Sequence, residues 1–435
     1  MFLGSRLLTF QKAIALATLI GMVVAIASER VKRWVAALVA ALIVVSLGVI
    51  HPVIALSYVD FDLLGLIVGI GILSYHLKRS NVVEWLSIKL VMKFKGDIKP
   101  IFFFICLIAG IVSIALENVS VVLLIAPIIY SLGRRLGFNP VTLLIAMALS
   151  SNIAGSATMI GDPPAIITAS EYGLAFMDFI FYEGRPSMFF ITVIPMLIAI
   201  SLTTAIYARS VITKPVSDLS KEVKLDKVYV TEVLVFLAIK IALLSLRNVL
   251  HIPLSLSAAV GAGGLIITRL AHKDLEGIKE GVKEGFDWEL LLFLVGVFIV
   301  SGAFNESGLA RDFAYSIMSL GNNAFLITSA LIWISVALSA FIDNVPYVAT
   351  MIPVINVISD TTGIGRITLA WALLTGATLG GNITYIGASA NATAVRLAEK
   401  WGYRVRFIDF IKIGLVFTMS SILSGWALYI MFWLL

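Results

Sequence analysis

The sequence predicts an all-α polytopic membrane protein: two inverted repeats that supply about ten transmembrane helices, two helical hairpins and two interrupted helices. Three observations carry that expectation. Residues of the AVILMFWYC set make up 60% of the 435 and charged residues only 13%, with a mean hydropathy of +1.02, whereas soluble domains are roughly half apolar and a quarter charged. Apolar runs long enough to cross a bilayer follow one another along the chain, and residues 117 to 168 recur at 343 to 394 without a gap. No stretch outside the apolar runs is long enough for a water-facing core, which excludes nucleic-acid binding and cytosolic enzymology. The lone cysteine, Cys106, excludes a disulfide framework and any cysteine metal site.

A spanning helix needs about 20 mostly apolar residues. Ten segments meet that demand, at 11–28, 34–50, 61–77, 141–170, 186–209, 229–246, 254–270, 288–304, 367–394 and 410–434. Two more regions, 98–133 and 324–359, are paired apolar runs interrupted by Glu117-Asn118 and Asp343-Asn344. Each reads as a hairpin that starts and ends on one side of the membrane. Residues 82–95 look amphipathic and interfacial, Arg269 to Asp287 reads as a solvated cytoplasmic helix, and the four histidines sit at span ends. Threaded in this way, 25 of the 32 Lys and Arg residues fall in loops on one side, six fall on the other and Lys240 lies within a span. The positive-inside rule makes the richer side cytoplasmic and both termini extracytoplasmic. The chain divides into a first repeat at 1–210, a cytoplasmic linker at 211–228 and a second repeat at 229–435.

A shift of 226 aligns Asn118 with Asn344, Pro127 with Pro353, Gly155 with Gly381, Thr158 with Thr384 and Gly161 with Gly387, and sets Glu117 opposite Asp343. A shift of 227 pairs Gly69 with Gly296 and Ser74 with Ser301. Each unit makes five net crossings, an odd number, so the second is inverted relative to the first. Inverted repeats around broken helices are a plan of secondary transporters, with the site at the repeat interface; channels use inverted repeats too.

Two segments carry the candidate chemistry. Ser151-Asn152 through Ser156, Thr158, Gly161-Asp162-Pro163-Pro164 places two prolines and an acid at membrane depth, which a continuous lipid-facing helix does not tolerate. Its mate, Gly380-Gly381-Asn382 through Thr384, Gly387 and Asn391, is again rich in glycine and side-chain oxygen. Unwound backbone offers carbonyls to a cation and helix N-termini offer amides to an anion. Glu117, Asp162 and Asp343 are intramembrane acids and so functional candidates, although Glu117 and Asp343 are also placed to cap the second helix of each hairpin. With Asn118 and Asn344 they are the residues that would hold Na⁺. Asn118, Asn344, Ser151, Asn152, Ser156, Thr158, Asn382 and Thr384 are candidate polar ligands that would serve equally as helix glue. Lys240 is read as neutral, paired or snorkelling rather than as a substrate contact. The sequence contains no GxxxxGK[ST], so it carries no ATPase signature, and Met159-Ile160-Gly161-Asp162 lacks the first glycine of an intramembrane aspartyl protease motif.

Those two segments, together with Asp343-Asn344-Val345-Pro346 and Ala349-Thr350-Met351-Ile352-Pro353, resemble the ion transporter superfamily. That superfamily embraces arsenical pump permeases, sodium/proton antiporters and carriers with the citrate-transporter-like domain, and the chain looks most like its melanosomal P protein branch. The resemblance implies a homodimer with an elevator-like transport part and re-entrant hairpins that open to opposite sides. Symporters of the superfamily use Ser-Asn-Thr at the hairpin tips and Gly-Thr-Pro-Pro in the broken helix. Here Glu117-Asn118-Val119, Asp343-Asn344-Val345 and Gly161-Asp162-Pro163-Pro164 stand instead, and the extra acids favour cation or proton coupling over a dianion. The expectation is therefore a multi-pass secondary transporter of the cell membrane, coupled to Na⁺ or H⁺ and needing no cofactor. It would move a small anion or an arsenite-type substrate. Na⁺/H⁺ antiport is the alternative, and an anion channel is the alternative of a different class.

Overall fold

The computed structural model describes residues 2–28, 30–95, 97–208, 225–321 and 323–435. The linker expected at 211–228 lies, up to residue 224, outside the described residues. Ten helices come before it: α1 (Phe2–Ala27), α2 (Arg33–Ser46), α3 (Pro52–Ser57), α4 (Phe61–Arg79), α5 (Val82–Lys93), α6 (Ile98–Ser113), α7 (Asn118–Leu136), α8 (Val141–Gly155), α9 (Pro163–Glu171) and α10 (Met188–Tyr207). Ten more follow: α11 (Lys227–Leu250), α12 (Leu254–Ala271), α13 (Leu275–Gly285), α14 (Trp288–Glu306), α15 (Leu309–Met318), α16 (Ala324–Ser339), α17 (Asn344–Thr362), α18 (Arg366–Gly380), α19 (Ser389–Lys400) and α20 (Phe407–Trp433). Between α9 and α10 a small antiparallel hairpin, pairing Phe181 with Pro186 and Tyr182 with Arg185, departs from the all-helical expectation.

Helix lengths recur between the halves, with 19 residues in α4 and α14, 16 in α6 and α16, 19 in α7 and α17, and 15 in α8 and α18. Both hairpins turn where the polar pairs sit: Glu117 and Asp343 are the N-caps of α7 and α17. The segments 141–170 and 367–394 each break in two, between Gly155 and Pro163 and between Gly380 and Ser389. These breaks fall inside the two segments read as interrupted helices, while an α2 of only 14 residues, or about 21 Å at 1.5 Å per residue, is short for one of the ten expected spans. Among the described residues eight helical stretches are long and apolar enough to cross a membrane.

Packing is crosswise: α2 lies on α14 and α4 on α12, while α6 packs on α8, α16 on α18 and α10 on α20. Large apolar side chains such as Leu42, Val249 and Ile267 stand on the surface, where acyl chains solvate them as well as a core would. The segment 269–287 is not a free solvated helix. Gly277, Gly281 and Gly285 are buried on the face of α13 that meets α4, and Arg79 Nη1 bonds Asp274 Oδ2 at 2.7 Å while Tyr75 Oη donates to Glu280 Oε2 at 2.6 Å. His76 also departs from an interfacial reading. It is fully buried, with Nδ1 2.7 Å from Tyr229 Oη, whereas His51, His251 and His272 are exposed. Lys240 is fully buried between α11 and α12, its Nζ without a hydrogen-bond partner among the described residues.

Burial pushes the Asp274 carboxyl up, but the Arg79 hydrogen bond and the Gly277 amide outweigh it and hold the group below its ordinary value. A lowered native value stabilises the docked α13 above about pH 4, and that contribution is lost as pH falls through it. Asp274→Asn is expected to speed hydrogen exchange across 275–285 roughly 10- to 100-fold at pH 7, the equivalent of about 1.5–3 kcal/mol for a hydrogen bond between charged groups. The native protein should approach the same exchange rate once the intrinsic pH dependence is removed and the pH is taken below 4.

Candidate functional site

Local chain chemistry builds the first half of the site. Two prolines open α9, so its first two positions carry no N–H. The next amide, that of Ala165, donates to Asp162 Oδ1 at 2.9 Å. Asp162 Oδ2 accepts the hydroxyl of Ser156, the residue at which α8 ends. Above it, Glu117 caps α7 by accepting the Ser120 amide at 3.0 Å. Asp162 is 2% exposed and Glu117 partly exposed, and both line one cavity of about 120 Å³. Ser74 lines it as well, its hydroxyl without a partner among the described residues; Ser301, 227 residues on, spends its hydroxyl on the Ala349 carbonyl at 2.6 Å. The cavity reaches the surface beside Lys78 and Glu284, a half-exposed pair 3.8 Å apart. This is the face on which the sequence puts the basic loops.

The second half repeats the backbone and changes the charge. Asp343 caps α17 by accepting the Val345 amide at 3.1 Å, and its Oδ2 accepts from Ser389 Oγ at 2.8 Å and faces Arg33 Nη1 at 3.5 Å. Ala388 occupies the place that Asp162 has in the first half and caps α19 with no side-chain bond. Asp343 does not line the cavity that holds Glu117 and Asp162.

Most other candidate residues stitch the hairpins to the breaks. Ser113 Oγ donates to the Ser151 carbonyl at 2.7 Å, and Ser339 Oγ to the Ala377 carbonyl at 2.7 Å. With the amide nitrogen turned toward these oxygens, Asn118 donates to Ser113 Oγ and to the Gly161 carbonyl at 3.0 Å, and Asn344 donates to Ser339 Oγ and to the Gly387 carbonyl at 2.9 Å. Thr158 donates to the Ile114 carbonyl and Thr384 to that of Ala340. Each contact has its counterpart 226 residues later. Between the halves the bonds cross: Asn152 Nδ2 donates to Asn382 Oδ1 at 3.0 Å, and Ser156 Oγ lies 2.8 Å from Thr378 Oγ1. Asn382 Oδ1 also accepts from Asn391 Nδ2 at 3.1 Å.

Ser113, Ser339, Thr378, Ser389 and Arg33 were not singled out by sequence, and Ser74 was noted only as a repeat match. The first three were accessible to it, since Ser113 and Ser339 are mates at 226 and Thr378 is the mate of Asn152. Arg33 reads locally as one of several loop cations, and its contact with Asp343 lies 310 residues away. Chemically, the geometry offers carboxylates and hydroxyls to a small cation. It offers little to an anion at α7, α9 and α17, where the chain's own acids already hold the free amides.

A family model described as citrate transporter matches residues 23–376. An uncharacterized transporter of Mycobacterium tuberculosis is 33% identical over 418 residues, covering 94% of this chain and 96% of its own. The P protein of Homo sapiens is 28% identical over 500 residues, which span 95% of this chain and 59% of that protein. The crystal structure of the YdaH transporter of Alcanivorax borkumensis shares the fold with a TM-score of 0.55 at 14% identity, covering 85% of this chain and 84% of that one.

A Cβ added at Gly161 would run into the Ser113 and Gly155 carbonyls, and one at Gly387 into those of Ser339 and Gly381. Gly161→Ala and Gly387→Ala should each push a hairpin off its break, an overpacking cost of about 1–3 kcal/mol. Thermal denaturation of the purified protein checks it. The expected result is a lowered midpoint for both variants, while Gly173→Ala, with open space around it, pays only the cost of its positive φ.

Proposed function

The chain belongs to the citrate transporter family, a family of membrane transporters and not enzymes, and from that premise we propose that it is a secondary active transporter in which Glu117 and Asp162 bind the coupling cation, Na⁺ or H⁺. The observation that carries the reading is one cavity lined by both acids and by the unpartnered Ser74 hydroxyl. Ionised carboxylates at membrane depth are costly. Taking up a proton or a Na⁺ relieves that cost, and the two ions compete for the same oxygens. Exchange of Na⁺ for H⁺ needs no further group, which makes it the leading reading of substrate.

The recurrence at 226 supports two repeats, 1–210 and 229–435, of opposite orientation, with the ion site at the first broken helix, between α4, α7 and the α13–α14 junction. The crossed bonds Asn152 to Asn382 and Ser156 to Thr378 suit a two-fold relation between the repeats. In this proposal the hairpins and broken helices move together past the remaining helices, the cavity beside Lys78 is the cytoplasmic opening, the termini lie outside, and two copies associate in the cell membrane.

A second reading, a small anion carried with the cation, is favoured by one feature. The N-terminus of α19 alone among the four has no side-chain cap, and Arg33 stands beside it at Ser389. Helix N-termini and a guanidinium are what a carboxylate or oxyanion requires.

Asparagine caps a helix as well as aspartate does, so Asp162→Asn should keep the fold and lose the charge. In proteoliposomes loaded with a pH-sensitive dye, a Na⁺ jump should change the internal pH with the native protein. Asp162→Asn should reduce the initial rate by about tenfold or more, what about 1.4 kcal/mol of lost ion binding amounts to. A native protein that stays silent overturns Na⁺/H⁺ exchange, and arsenite and small carboxylates then become the fluxes to measure.

A further inference from the structure

Glu117 and Asp343 stand 226 residues apart and cap equivalent helices, yet only Asp343 is in direct contact with a cation, the charge of Arg33 reaching Glu117 from a distance. Glu117 shares its cavity with a second acid, Asp162. Asp343 has an alanine, Ala388, where that acid would be, and Arg33 in front of it. We propose that Arg33 is a tethered counter-cation: it fills the place at Asp343 that a coupling cation would otherwise take, so the chain carries one coupling-cation site where its repeated backbone would build two. The inference rests on the reading of Glu117 and Asp162 as the cation site.

Four features support it. Arg33 contacts both Asp343 Oδ2 and the Ser389 hydroxyl, and Ser389 in turn donates to Asp343 Oδ2. The guanidinium thus occupies the space between a carboxylate and a hydroxyl, a ligand set that suits a small cation. Asp343 has only 6% of its side chain exposed, and Asn344 beside it is already committed to Ser339 and Gly387, so a lone carboxylate there would be buried without a counter-charge. Arg33 is the first residue of α2, the end at which the helix dipole disfavours a cation. It is held there over the ring of Phe293, 5.5 Å from its centroid, where the π-face compensates in part. Finally, 44% of the Arg33 side chain is exposed, so the guanidinium can withdraw into water while Asp343 stays buried. Arg33 is therefore a positioning residue that sets how many cations bind.

The test is modification by dicyclohexylcarbodiimide, which attacks protonated carboxyl groups in apolar surroundings, read by peptide mass spectrometry and paired with equilibrium binding of radioactive Na⁺ to the purified full chain. In the native protein Glu117 or Asp162 should be modified and protected by Na⁺, while Asp343, covered by the Arg33 guanidinium and the Ser389 hydroxyl, stays unmodified. Arg33→Gln should expose Asp343 to modification, Na⁺ should protect it, and Na⁺ bound per chain should double. Arg33→Lys should restore the native pattern, and Arg33→Gln with Asp343→Asn should return the bound Na⁺ to the native count. Unchanged modification at Asp162, which has no direct contact with Arg33, reports that the variants are folded. Equal modification of Asp343 in the native protein and Arg33→Gln overturns the proposal, as does an unchanged Na⁺ count in Arg33→Gln. Failure of Na⁺ to protect Glu117 and Asp162 in the native protein overturns the Na⁺ reading of the main site instead, and the modification of Asp343 still decides the role of Arg33.

Discussion

Hydrogen bonding of backbone that has left the helix, at a depth where lipid supplies no partners, is the constraint from which the rest of this structure follows. Each amide or carbonyl released at 156–162 and 381–388 must find a protein partner. The hairpins bring those partners. The amides of Asn118 and Asn344 reach the freed carbonyls of Gly161 and Gly387, while Ser113 and Ser339 tie the hairpins to the last helical turns before the breaks through the carbonyls of Ser151 and Ala377. Gly161 and Gly387 lack a side chain because the hairpin backbone lies where a Cβ would stand. A hairpin and its break are thus one unit, and neither is stable at depth without the other.

Satisfying the backbone with neutral side chains leaves the acids free for other work. Asp162, Glu117 and Asp343 each hold one helix amide, which fixes the carboxylate in place and also removes that amide from competition for an anion. Two prolines at the start of α9 remove two more. The helix ends that in a related arrangement would face an anion are closed here by the chain's own carboxylates. Only α19, capped by Ala388, is left open.

The two halves share a backbone plan and differ in charge. Ser156 donates to Asp162 in one half, while in the other Asn382 holds Asn391 and accepts from Asn152. Ser74 keeps an unpartnered hydroxyl in the cavity, whereas Ser301 is bonded to Ala349. A duplicated scaffold can specialise in this way because exchanging a side chain leaves the stitching bonds, many of which run to backbone carbonyls, intact.

The sequence by itself determined the membrane class, the hairpin turns at Glu117-Asn118 and Asp343-Asn344, a break within each of 151–164 and 380–391, and the period of 226. All of these are written in local terms: apolar length, the proline and glycine that helices reject, and side chains that cap. Ser113, Ser339 and Thr378 were within reach of the same reasoning through the repeat. Only the tertiary structure decided which acids share a cavity, that Arg33 crosses 310 residues to Asp343, that His76 is buried against Tyr229, and that the glycines of α13 seat it on α4. Local patterning sets what a residue does to its own helix. Which distant charge it touches depends on how helices cross, and of two residues with the same local role, Glu117 shares a cavity with Asp162 while Asp343 is in direct contact with Arg33 for that reason.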